Sequence, residues 1–135
     1  MVRYLLHTSV LSELLRRPAG RVARRLAVVG EAAVCTTIVV ACALRYGAAK
    51  RGSPRLSTAV EGLLGSLDVL PLDEQSDRHY AEIRLHLDRI GQPIGPNDLL
   101  IAAHALALDL VLVTDNVKEF ARVPRLSLEN WLAPD

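Results

Sequence analysis

An alternation of hydrophobic periods narrows the fold of this chain more than any other feature. Short apolar runs, too brief for helices, take turns with longer stretches whose apolar residues recur every three or four positions. Val2–Leu6 reads as a buried strand. Ser9–Arg17 and Gly20–Val29 read as helices divided by Pro18-Ala19-Gly20, and Ala33–Thr36 as a second strand. Ile38–Lys50 has helical spacing and many small residues, Arg51-Gly52-Ser53-Pro54 is a turn, and Arg55–Leu67 is helical again. Val69–Leu72 is a third strand, closed by Asp73. Glu74–Ile90 is an amphipathic helix with Tyr80, Ile83, Leu87 and Ile90 near one face, followed by a Gly/Pro loop over 91–96. Asn97–Leu108 is helical, Leu110–Thr114 is a buried strand, Asp115-Asn116 is a turn, and Leu126–Leu132 is strand-like. Strands that alternate with helices run parallel and are joined by right-handed crossovers. The expected fold class is therefore α/β, a three-layer sandwich, in a single domain over residues 1–135.

Several function classes drop out. No apolar run approaches a membrane span, and Val2–Leu6 is too short for the apolar core of a secretory signal. There is no GxGxxG and no GxxxxGK[ST], so a nucleotide-binding strand–loop–helix has no support. Cys35 and Cys42 lack a CxxC pattern and a His partner at ligand spacing, which suggests reduced, buried thiols and a cytoplasmic protein. The formal net charge of +1 hides an asymmetry. Residues 1–55 carry ten Lys/Arg against two acids, and residues 56–135 carry six against thirteen. A basic half on a neutral chain suits a polyanion or an acidic peptide, or is simply a solvated helix face.

In an open parallel sheet, ligands and catalytic groups collect beyond the carboxyl ends of the strands. The polar groups there are His7 and Ser9 after the first strand, Thr36 and Thr37 after the second, and Asp115 and Asn116 after the fourth. Asp98 joins them from the helix start behind Pro96. Carboxylates and an imidazole on one sheet edge are a donor set for a divalent metal. Each also has a structural role open to it: an acid in the first helical turn suits the helix dipole, and Asp-Asn is ordinary turn chemistry. His79, His86 and His104 lie within helical patterns and read as structural or surface groups.

Several stretches resemble, in order, the PIN domains of the VapC toxins of bacterial toxin–antitoxin pairs. They are Tyr4-Leu5-Leu6-His7-Thr8-Ser9-Val10-Leu11-Ser12-Glu13-Leu14, Leu44-Arg45-Tyr46-Gly47-Ala48-Ala49-Lys50, Pro96-Asn97-Asp98-Leu99-Leu100-Ile101-Ala102-Ala103-His104-Ala105 and Leu112-Val113-Thr114-Asp115-Asn116-Val117-Lys118-Glu119-Phe120. The closing Leu128-Glu129-Asn130-Trp131 also fits. The resemblance implies a roughly five-stranded parallel sheet flanked by helices. It implies a cleft of acids that binds Mg²⁺ or Mn²⁺ to activate a water for cutting RNA. It further implies a homodimer and a VapB-like antitoxin whose tail fills the groove. Carried over, Asp98 and Asp115 are the catalytic and metal-binding acids, with Ser9, Thr114 and Asn116 in support and Arg45 as a contact for RNA or antitoxin. Two family acids are replaced. The position of the aspartate in Asp-Thr-Asn holds His7, in an altered ligand position, and the position of the glutamate in Glu-Leu-Arg-Tyr-Gly holds Ala43. Losing two carboxylates removes negative charge and hard ligands, so weakened metal binding and impaired cleavage are expected, with an inactive, antitoxin-binding protein as the alternative.

Overall fold

The computed structural model describes residues 1–134. Its strands are β1 (Tyr4–Leu6), β2 (Val34–Thr37), β3 (Asp68–Leu70), β4 (Val111–Val113) and β5 (Leu128–Glu129). Its helices are α1 (Thr8–Arg16), α2 (Arg21–Val29), α3 (Ile38–Arg51), α4 (Pro54–Gly65), α5 (Glu74–Arg89), α6 (Pro96–Ala107) and α7 (Val117–Phe120), with one 3-10 turn over Glu31–Ala33. The strands form one sheet in the order β3-β2-β1-β4-β5, every pairing parallel. This is the three-layer α/β sandwich that the periodicity predicts. None of the described helices is long and apolar enough to cross a membrane.

Strand β1 explains why the sheet has this order. All three of its residues are buried, and it pairs with β2 on one side and β4 on the other. A strand covered on both faces by helices must be apolar throughout, which Tyr4-Leu5-Leu6 is. The chain leaves β1 toward β2 and β3, then crosses back to β4 and β5. Right-handed crossovers send α1–α4 to one face and α5–α7 to the other. The reversal lies between β1 and β4, so a crevice opens beyond their carboxyl ends.

Where elements are shorter than their apolar runs, a backbone reason is visible. β3 stops at Leu70 because Pro71 has no N–H for the ladder. The segment Leu126–Leu132 yields only two strand residues. Arg125 before it takes a positive φ of 66°, and after it the Asn130 side chain accepts the Leu132 N–H at 2.9 Å and turns the chain. Pairing of β1 begins at Arg3, whose N–H donates to the Ala33 carbonyl at 2.8 Å. Helix α7 has no counterpart in the sequence reading, because four residues carry no period; the fully buried Phe120 anchors it. Helix α3 ends at Gly52 (φ 67°), whose N–H donates to the carbonyls of Ala48 and Ala49.

Two expectations need correction. Cys42 is exposed on the outer side of α3, and only Cys35 is buried. Burial, with the Asp68 carboxylate adding to it, pushes the Cys35 thiol up to about 12, so it is inert. Ile90 ends α5 exposed, while Ile83 and Leu87 do enter the core.

His104 is wholly buried in α6. Its Nδ1 pairs with the Thr37 hydroxyl at 2.8 Å, and its Nε2 is buried without a partner among the described residues. Burial pushes its pKa down, with Asp73 acting in the opposite sense. The unfolded imidazole, titrating near 6.5, takes up a proton that the folded one refuses. Stability is therefore undiminished above that pH and falls below it, by at most about 1.4 kcal/mol per pH unit. Urea midpoints measured between about pH 7.5 and pH 5 should show this slope, and His104→Leu should flatten it.

Candidate functional site

The crevice is built from three chain segments. β1 ends at Leu6 and delivers His7, which is also the residue preceding α1. β4 ends at Val113 and delivers Thr114, Asp115 and Asn116. Helix α6 starts at Pro96 and presents Asp98 in its first turn, where the helix dipole favours an acid. The His7 N–H donates to the Val113 carbonyl at 2.9 Å, which locks the two strand ends together.

His7 is buried, with 8 % of the residue exposed, and both of its ring nitrogens are occupied. Nε2 lies 3.1 Å from Asp98 Oδ1, and Nδ1 lies 2.9 Å from Thr114 Oγ1. Hydrogen-bond accounting places one ring proton. An ionised carboxylate only accepts, so Nε2 carries the proton that Asp98 receives. On the other side of the ring, Nδ1 pairs with the Thr114 hydroxyl. The Thr114 oxygen in turn accepts the Asn116 backbone N–H at 3.0 Å. Ser9 Oγ sits farther off, 3.4 Å from His7 Nδ1, and accepts the Asp115 backbone N–H, also at 3.4 Å. The edge of the Phe120 ring system closes the remaining side, with centroids 5.1 Å apart and planes at 82°.

The structure thus joins His7, Asp98, Ser9, Thr114 and Asn116 in one hydrogen-bonded group. Asp115 enters it through its backbone; its exposed carboxylate makes no hydrogen bond or ion pair among the described residues. Glu119 is a participant that the site assignment from sequence omitted. It accepts from the Gly95 N–H at 3.2 Å and from the Asn116 amide, tying the α6 start to the β4 end. Its signal was the spacing of three from Asn116, which becomes a contact only once α7 forms. Arg45 stands elsewhere. Its Nε and Nη2 donate to the two oxygens of Glu61, both at 2.9 Å, and this hydrogen bonding holds Glu61 below the usual carboxylate range. Ala43 lines a neighbouring groove of about 330 Å³ between α1, α3 and α4, together with Thr8, Ser12, Leu15, Leu44 and Val60.

Comparisons with known proteins identify the family. The PIN domain family pattern matches residues 4–126. The tRNA(fMet)-specific endonuclease VapC of Salmonella typhimurium is 34% identical over 132 residues, covering 97% of this chain and 99% of that one. Ribonuclease VapC2 of Haemophilus influenzae is 35% identical over 134 residues, covering 98% and 100%.

The chain belongs to the VapC family of PIN-domain ribonucleases.

Solved VapBC structures share the fold. DNA-bound VapBC from Salmonella typhimurium superposes with a TM-score of 0.91 at 34% identity over 97% of this chain and 99% of that one. VapBC2 from Rickettsia felis, bound to a promoter DNA fragment, gives 0.88 at 32% identity over 97% and 99%.

A divalent metal is what the VapC resemblance implies for this cleft, and the donors present do not fit one. A hard cation wants six or more oxygens, several of them carboxylate. Among the described residues, no three His, Cys, Asp or Glu side chains converge so as to hold a metal ion. Asp98 already accepts from an imidazole N–H, and Ala43 offers no ligand.

The Thr114 hydroxyl is the linchpin of the hydrogen-bonded chain. Thr114→Val keeps the shape but strands the Asn116 N–H and leaves Nδ1 with only the distant Ser9. A loss of about 1–3 kcal/mol is expected, read from the urea unfolding midpoint.

Proposed function

We propose that this VapC-family protein is the toxin member of a type II toxin–antitoxin pair whose endoribonuclease activity is impaired, and that it binds a VapB-like antitoxin. The observation that carries this reading is the His7–Asp98 hydrogen bond of 3.1 Å. A carboxylate at position 7 would leave Asp98 free to share a cation. An imidazole there donates a proton to Asp98 and occupies the oxygen that a metal would need. Mg²⁺ or Mn²⁺ therefore binds weakly, and the attack of water on RNA loses the charge neutralisation that such an ion supplies when bound.

Support for the antitoxin comes from the groove beside the crevice. Its floor is Leu15, Leu44, Leu56 and Val60, and Arg16 and Arg51 stand at its rim. An amphipathic segment with acidic flanks suits such a surface. The two solved VapBC structures compared above are both bound to DNA. A homodimer in the cytoplasm accords with that family. The same complexes favour a second reading, in which the protein is catalytically silent and serves in a DNA-bound repressor.

Restoring both acids tests the reading. His7→Asp with Ala43→Glu should cleave RNA in Mg²⁺ or Mn²⁺ at least about tenfold faster than the natural chain, since one lost ligand already costs that order in affinity or rate. Only the double variant should gain a metal-dependent rise in melting temperature. Equal cleavage and equal thermal shifts in the two proteins would show that His7 serves as a competent ligand, and the proposal would fall.

A further inference from the structure

Part of the basic half of the chain gathers on a face that the crevice does not use. Helix α2 carries Arg21, Arg24 and Arg25, all exposed, within its first five residues. Arg17, at the end of α1, lies just across the Pro18-Ala19-Gly20 corner. The corner depends on Gly20: a Cβ there would meet the Arg17 Cβ at 2.9 Å. Two shallow grooves, of about 260 and 440 Å³, share Arg21 and Arg24 and run on toward the C-terminal residues Asn130 to Ala133.

These arginines differ in how they are held. Arg17 is paired with Glu13, and Arg25 reaches Glu129 at 3.3 Å while its guanidinium lies 5.8 Å over the Trp131 ring. Arg21 and Arg24 donate only to backbone carbonyls, of Leu132 and Ala19, each at 3.4 Å. Neither pairs with a carboxylate among the described residues. Two guanidinium groups left over on a scaffold of partnered ones make a net cationic strip.

We infer that the outer face of α2, centred on Arg21 and Arg24, is a binding surface for the phosphate backbone of RNA, separate from the crevice at His7. Three arguments select RNA over an acidic peptide. First, the arginines step along the helix by about 4.5–6 Å, a distance that neighbouring phosphates of one strand can match. Second, protein interfaces need apolar or aromatic anchors at their centre. Here Trp131 is buried beneath Arg25, and only Val28 projects as a large apolar group. Third, nucleic-acid interfaces are polar and strongly positive, as this face is. The inference rests on the ribonuclease reading only for the choice of RNA over DNA.

The test is fluorescence anisotropy with a fluorescein-labelled single-stranded RNA of roughly 12 nucleotides. It is run in EDTA, so that binding is read without cleavage and a failed cleavage assay leaves it untouched. Arg21→Gln with Arg24→Gln should weaken binding at least about tenfold at ~50 mM salt, and should flatten the salt dependence of log K by about 1.4, two phosphate contacts' worth. Arg21→Lys with Arg24→Lys should retain most of the affinity, and Arg84→Gln on α5 should bind like the natural chain. Circular dichroism melts confirm that each variant is folded. Affinity and salt slope unchanged in the double Gln variant would overturn the proposal. So would no RNA binding by the natural chain at ~50 mM salt, or a poly-glutamate peptide bound through Arg21 and Arg24 where RNA is not.

Discussion

One imidazole sits where three chain segments meet, and the architecture of the crevice depends on it. His7 belongs to the end of β1, Thr114 to the end of β4 and Asp98 to the start of α6; its ring touches both partners. The protein needs some group in that position, because Asp98 and Thr114 both require a partner in a half-buried setting. In a metal-binding member of the fold, a cation between carboxylates would hold these elements together. Here an imidazole does so, with each ring nitrogen on a partner from a different segment.

This arrangement separates the stability of the fold from the chemistry of the cleft. A set of ionised acids packed at one sheet edge repels itself and needs a counter-ion to be comfortable. Replacing one acid with His7 turns a repulsion toward Asp98 into an attraction. Replacing the other with Ala43 puts the best helix former into α3. Neither change touches the apolar core around Leu5, Leu6, Leu112 and Val113, all fully buried. The fold therefore does not depend on which groups occupy positions 7 and 43, and neither do its outer surfaces.

Much of this was legible in the sequence, for definite reasons. β1 and β4 are central and covered on both faces, so they appear as uninterrupted apolar runs, and their ends located His7 and Thr114 correctly. β3 and β5 lie at the sheet edges, where Pro71 and the turn at Arg125 shorten pairing in ways an apolar count does not register. α7 was invisible because its helicity comes from burying Phe120, a tertiary contact. The His7–Asp98 bond spans 91 residues, so no spacing rule could give it. Glu119 was missed for the same reason: its partner Gly95 is 24 residues away. Arg45 lies apart from the His7 group, and its motif gave no sign that its guanidinium is held by Glu61 on α4.

The charge asymmetry of the sequence acquires a geometry in this light. Ten basic residues against two acids in the first 55 positions is a statement about composition. The fold divides them among faces. Arg45 is neutralised by Glu61, Arg16 and Arg17 lie against Glu13, and Arg25 is pinned to Glu129. Among the described residues, Arg3, Arg21, Arg24, Lys50, Arg51 and Arg55 keep no carboxylate partner, and of these Arg21 and Arg24 stand one turn apart on a single helix. That helix is α2, joined to α1 by the Gly20 corner, and α1 itself begins at the His7 crevice. A polyanion held on α2 and a cleft whose carboxylates are Asp98 and Asp115, with His7 and Ala43 beside them, are thus compatible features of one molecule. Gripping a phosphate backbone needs unpaired cations, whereas cutting it needs carboxylates to gather a metal, and this chain has kept the first while replacing half of the second.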